Sequence, residues 1–453
     1  MSSSPRRSKR SGRGLGRDGH RITSEAGEVP GERHSHNPLV RYLRVLGPGL
    51  VTGASDDDPS GIATYAVAGA SVGTSLLWTA AATFPLMAAI QLVCARIGLV
   101  SGRGLVAAVR DHYPRWFLHA ACLLLLVANT FNIAADLSGM AEALGMLTGI
   151  PSRLSIPALG ISILVAIIWL RYRSFAKYLK WLTLALFAYI FAAFLAKPHW
   201  GEVIRATVVP TVKWDRTWLM TFVGILGTTI SPYLFFWPAS QEVEEEKAQG
   251  RQTLKQREGA TLHELSDART DVGIGMLFSN LVMYFIILTT ASTLYRSGLH
   301  DIETSRQAAE ALKPLAGEGA YLLFTIGIVG TGLLAIPVLM GSASYSVSEL
   351  FRFRAGLDRR FSEAPRFYMI MAIALGAGMA LDLLRLSPMR MLFFSAVLNG
   401  LLAPPLMVLV MLVGNNRSIM GNRVNGAWLN LFGWTATALM TAAAGAYLVT
   451  LLL

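Results

Sequence analysis

Asp56, Asp57 and Asp58 run straight into Pro59-Ser60-Gly61 within an otherwise apolar stretch from Leu46 to Val72. An aspartate at the centre of a membrane helix costs roughly 2.5–3.5 kcal/mol, so three ionised, lipid-facing acids would cost on the order of 8–10 kcal/mol. A bound cation or a water-filled cavity can offset that cost. Proline and glycine directly after the acids break the helix and free backbone carbonyls to coordinate the same cation. At 1.5 Å per residue, Asp58 lies about 16 Å along the helix from Gly47, near half of the hydrocarbon thickness. The pattern predicts an ion site deep in a membrane.

Asp58 is the strongest direct ligand, a hard carboxylate suited to Mg²⁺, Mn²⁺ or Na⁺. Neighbouring residues on a helix point about 100° apart. The three acids therefore cannot all ligate without unwinding. Asp57 is a secondary ligand, and Asp56 either lines an aqueous path or caps the helix at the break. A second interrupted run reads Gly224-Ile225-Leu226-Gly227-Thr228-Thr229-Ile230-Ser231-Pro232-Tyr233. Thr228 and Ser231 offer oxygens there, Thr228 through its main-chain carbonyl as well. The competing reading is bonding back to their own helix. Asp136, Asn280 and Asn399 are further polar residues in apolar runs. Such residues mark a pathway or hydrogen-bond between helices. Cys94 and Cys122 read as small buried hydrophobes, and the histidines show no zinc spacing.

The elements that must hold these residues are membrane helices. Only 15% of the 453 residues are charged and 53% are hydrophobic. Continuous apolar runs near 20 residues exclude a membrane barrel, whose strands alternate. Eleven spans are predicted, at about 46–70, 75–99, 117–147, 154–171, 178–196, 217–240, 270–294, 319–345, 366–384, 390–413 and 428–452. Arginine and lysine crowd the loops after the second, fourth, eighth and tenth spans, which puts those loops and the N-terminus in the cytoplasm and the C-terminus outside. The first 40 residues, rich in Ser, Gly and Arg, read as a disordered cytoplasmic tail with no nucleic-acid role and no signal-peptide pattern. Glu242, Glu244, Glu245 and Glu246 read as a solvated helical face beside Lys247 and Arg251. The two interrupted runs fall in the first and sixth spans, five apart. Matched broken helices of that kind point to a transporter site at the midplane between inverted repeats.

The chain resembles the NRAMP family of divalent-metal transporters. Gly47-Pro48-Gly49-Leu50 leads into Asp58-Pro59-Ser60-Gly61, where the family has Asp-Pro-Gly-Asn. Gln91 to Gly102, Asp136 through Gly149-Ile150-Pro151, and Asn415-Asn416-Arg417-Ser418-Ile419-Met420-Gly421 carry the rest of the likeness, which covers about residues 40–450. The resemblance implies an all-α membrane protein of LeuT-like fold. Inverted five-helix repeats (about 46–196 and 217–413) would carry broken helices 1 and 6, with an eleventh helix added, all within a transporter domain spanning 41–453. It implies alternating-access transport of a divalent cation, no catalysis, no cofactor and no obligate protein partner, in a bacterial plasma membrane. The family's first-span asparagine falls on Gly61, its sixth-span Met-Pro-His on Ser231-Pro232-Tyr233, and its tenth-span glutamine on Ala396, with Asn399 one turn on. Asp58, Ser231, Thr228, Asp57, Gly61 and Asn399 are thus the expected metal site; Asp56, Asp136, Tyr233 and Asn280 are the expected pathway. Loss of the thioether favours hard cations, so the chain is similar to the branch associated with magnesium transport, with Mg²⁺ and Mn²⁺ as cargo. Without the family's histidines, uncoupled transport is expected. The alternatives are proton-coupled Mn²⁺/Fe²⁺ transport, a sodium-coupled organic-solute transporter of the same fold, an intramembrane aspartyl protease using Asp58 and Asp136, and a sensor acting through the basic tail.

Overall fold

A computed structural model describes residues 52, 53, 55–170, 182–382 and 386–452. The expected basic tail lies outside the described residues. Everything described is helix or connecting loop. Among the described residues eight helices are long and apolar enough to cross a bilayer, including Trp78–Ser101, Arg115–Thr148, Pro388–Gly414 and Ala427–Leu452. The shorter Leu184–Leu195 and Pro365–Leu381, with the first span's Pro59–Val72, complete the eleven segments read from the sequence.

The first and sixth spans are interrupted where proline and small polar residues stand. In the first span helix gives way to a bend at Asp57 and restarts at Pro59. Asp58 is extended (φ −65°, ψ 170°) and caps the helix Pro59–Val72. Proline fits the first helical position because its missing N–H would be unpaired there anyway. In the sixth span Arg216–Thr229 ends at Ile230 (φ −125°, ψ 60°), and Tyr233–Ala248 resumes after Pro232. Each break leaves carbonyls without helical partners, which is tolerable at this depth only inside protein or against a polar cavity.

Close backbone approach seats the sixth span. A methyl at Gly227 would be driven into the Ala396 carbonyl and the Gly400 amide of the tenth span. Small residues at such crossings are how membrane helices gain packing without a hydrophobic drive. The third span contributes a polar inward face at helical spacing. Asn129 donates to the Leu339 carbonyl (2.8 Å) and the Ser342 hydroxyl (2.7 Å) of the eighth span. Asn132 and Asp136 follow on the same face.

The acid run after the sixth-span break is not a solvated face. Glu242, Glu244 and Glu246 are buried. Lys247 pairs with Glu244 at 2.7 Å, and Arg251 pairs with Glu246 at 3.1 Å and also with Glu264. The helix continues to Ala248, and Glu244 and Glu246 are held by cations within the fold.

Candidate metal centre

The two breaks face each other. Three oxygens converge on Gly61, where an added methyl would sit 2.9 Å from Thr228 Oγ1, 3.2 Å from the Asp56 carbonyl and 3.4 Å from Asp58 Oδ1. The Tyr233 hydroxyl donates to the Ser55 carbonyl at 2.8 Å and ties the start of the second half of the sixth span to the first half of the first. Asp58 Oδ1 accepts from the Gly61 amide (2.6 Å) and the Ser60 hydroxyl (2.7 Å). Capping at the break therefore belongs to Asp58, whereas the sequence had offered it to Asp56.

Asp56, Asp57, Asp58 and Asp136 are all at most 1% exposed. Asp136 lies close enough to Asp58 for the two carboxylates to repel. Among the described residues no lysine, arginine or histidine is buried, so no internal cation stands against these acids. Burying unpaired charge costs several kcal/mol per ion. Asp56 Oδ1, Asp57 Oδ2, both Asp136 oxygens, Thr228 Oγ1 and the Tyr65 hydroxyl have no hydrogen-bond partner among the described residues. Buried polar atoms are nearly always paired, and six of them gathered on the two broken spans and their neighbours mark a place built for a polar guest. No three His, Cys, Asp or Glu side chains among the described residues form a metal cage by themselves. A cation here would draw on hydroxyls, carbonyls and its own water as well as on carboxylate.

The other expected site residues divide. The Ser231 hydroxyl donates to the Gly227 (3.0 Å) and Thr228 (2.8 Å) carbonyls. Its proton is used on its own helix, which leaves only its lone pairs for a guest. Asn399 is spent elsewhere. It and Asn132 exchange two amide hydrogen bonds of 3.1 Å across the third and tenth spans, which leaves the expected tenth-span ligand engaged with a protein partner. Asn280 donates to the Ala80 carbonyl at 2.5 Å and joins the seventh span to the second. Both asparagines thus act as helix-to-helix ties.

Ser279 was overlooked beside Asn280. Its hydroxyl lies 2.6 Å from Asp56 Oδ2 and 3.2 Å from Asp57 Oδ1. One hydroxyl proton serves two carboxylates. The Ser279-Asn280 pair in an apolar span was the available signal, and the larger amide drew attention away from the smaller hydroxyl. Tyr65 was also missed, because a tyrosine in an apolar run reads as core.

A profile described as "Natural resistance-associated macrophage protein-like", Nramp, matches residues 49–450. The chain belongs to the Nramp family. It is therefore an integral membrane protein of many spans and not an enzyme. The divalent metal cation transporter MntH of Klebsiella pneumoniae is 26% identical over 411 residues, 89% of this chain and 93% of that protein. MntH of Pectobacterium carotovorum is 27% identical over 413 residues, 88% and 92%. Among solved structures, the manganese transporter of Eremococcus coleocola superposes with a TM-score of 0.71 at 18% identity, covering 92% of this chain and 88% of that one. Mhp1, a nucleobase-cation-symport-1 family transporter, reaches 0.55 at 15% identity, covering 89% and 93%. These likenesses fix the fold, an all-helical one shared with the manganese transporter and with Mhp1. Within that Nramp frame the sixth-span break offers a hydroxyl and a phenol, Ser231 and Tyr233, around Pro232.

Proposed function

We propose that this Nramp protein carries divalent metal cations across a bacterial plasma membrane by alternating access about the facing breaks. The observation that carries the reading is the convergence of Asp58, Thr228 and the Asp56 carbonyl on Gly61, beside buried carboxylates that have no basic partner. The MntH relatives, divalent metal cation transporters, support a divalent cargo, and the solved manganese transporter points to Mn²⁺. The side chains extend that choice toward Mg²⁺. The breaks offer only oxygen donors, which favour hard ions over thiophilic ones. Gly61 brings no side-chain ligand to the site, and Mg²⁺ usually keeps several of its waters. Asp57 and Asp136 are the further carboxylates the cation meets on its path. Inverted repeats about 46–196 and 217–413, an inside N-terminus and an outside C-terminus complete this reading.

Uncoupled transport belongs to the same proposal. The Tyr233 phenol stands at the break and donates to a carbonyl. An inside-negative potential supplies about 2.3 kcal/mol per charge per 100 mV, hence roughly 4.6 for a divalent ion. The test is flux into proteoliposomes of Mn²⁺, Mg²⁺, Ca²⁺ and Cd²⁺ with a pH dye inside. Saturable Mn²⁺ and Mg²⁺ entry without acidification is the expected result. Entry of Mn²⁺ alone, with protons, would replace this reading by the proton-coupled Mn²⁺/Fe²⁺ one. Indifference to every metal would reject metal transport altogether.

A further inference from the structure

A cavity of about 460 Å³ lies away from the metal centre. It is bounded by the end of the second span (Val100 to Arg103), the connection Glu258–Ala260 and the loop Arg417–Arg423. That last loop holds part of the Asn415–Gly421 motif, which the metal centre does not use. We propose that this cavity binds a phosphate-bearing anion, from a lipid headgroup or from solution.

The charge of the lining is the first argument. Arg103, Arg417 and Arg423 line the cavity against a single acid, Glu258. Arg103 is paired with Asp111 at 2.8 Å. Among the described residues Arg417 and Arg423 pair with no acid. Arg96 stands behind them. Its guanidinium donates to the Arg423 carbonyl (2.7 Å) and the Val424 carbonyl (3.3 Å). The Arg96 and Arg423 cations lie near enough to repel, and the buried Arg96 Nε has no acceptor. Two like charges with no acid between them are stabilised by an anion, and guanidinium groups match phosphate geometry in pairs.

Size and position give the second argument. Small-ligand pockets are about 300–1,000 Å³, so the cavity accommodates a headgroup phosphate. Trp116 and Trp428, 73% and 72% exposed, begin the third and eleventh spans at this same end of the bundle. Exposed tryptophans at span ends settle at the headgroup level, which puts the cavity within reach of lipid phosphate.

The experiment uses the full-length protein and a double variant, R417Q with R423Q. Native mass spectrometry compares adducts of phosphatidylglycerol and phosphatidylcholine. Thermal unfolding in detergent is followed with and without inorganic phosphate. At least tenfold preferential retention of phosphatidylglycerol by the wild type, lost in the double variant, supports a lipid source. A phosphate-dependent rise in the wild-type midpoint that the double variant lacks, without lipid preference, supports a soluble source. A third protein, R417K with R423K, keeps the charge and should retain binding that weakens as salt is raised. Equal behaviour of the wild type and the R417Q, R423Q variant toward every probe overturns the proposal. The Asp58→Ala protein should bind the anion like the wild type, so this outcome stands apart from the fate of the metal reading.

Discussion

Asp58 has two jobs that one substitution separates. It caps the helix Pro59–Val72 through Oδ1, and its charge serves the cation. Asp58→Asn keeps an acceptor in the same place, because asparagine caps a helix as well as aspartate does. The two bonds at 2.6 and 2.7 Å become neutral, and charge-assisted bonds are roughly twice as strong as neutral ones. The loss is about 1 kcal/mol, partly offset because one charge leaves a cluster of four buried acids. Asp58→Ala loses the cap as well, about 0.5–2 kcal/mol. Cation binding should respond quite differently. Removing one partner of a buried charge pair costs about 3–5 kcal/mol, or roughly 100- to 4,000-fold in affinity at 1.4 kcal/mol per decade. Proteoliposome flux over a range of Mn²⁺ and Mg²⁺ concentrations, beside thermal unfolding of the same protein, reads both effects. An asparagine variant that melts within a few degrees of wild type yet has lost transport is the expected result. Wild-type flux in that variant would reduce Asp58 to a structural cap.

Ser231→Met places sulfur at the sixth-span break and should move preference toward Cd²⁺ by tenfold or more; unchanged selectivity in competitive flux would show that Ser231 does not face the cargo. Ser279→Ala removes the donor shared by Asp56 and Asp57. Leaving buried polar groups unpaired costs about 1–3 kcal/mol, which a denaturation curve should register, and added Mn²⁺ should restore part of it. Gly227→Ala forces a methyl into the tenth-span backbone; overpacking of this kind costs about 1–3 kcal/mol, so folded yield and flux should fall together, whereas Gly201→Ala, with open space around it, should change neither.

Much of the fold was legible because membrane helices declare themselves by length and apolarity. The two breaks were legible too, since acids, hydroxyls and proline at those positions have no ordinary place in a span. The partners of individual side chains were not. Nothing in the local sequence says that Asn399 meets Asn132, 267 residues away, or that Asn280 turns to Ala80 while Ser279 turns to the acids. A helix wheel orders residues around an axis, but it does not say which neighbour each one meets. Glu242, Glu244 and Glu246 misled for the same reason. Their charge suggested water; Lys247 and Arg251 do pair with Glu244 and Glu246, but the acids are buried by the packing of other helices, which the local sequence does not show.

Anomalous scattering from crystals of the wild-type protein grown with Mn²⁺ tests the central claim most directly. A single strong peak should lie between the two breaks, within coordination distance of Asp58 and beside Thr228. A peak confined to the Glu244–Glu246 cluster, or none at the breaks while flux persists, would contradict it.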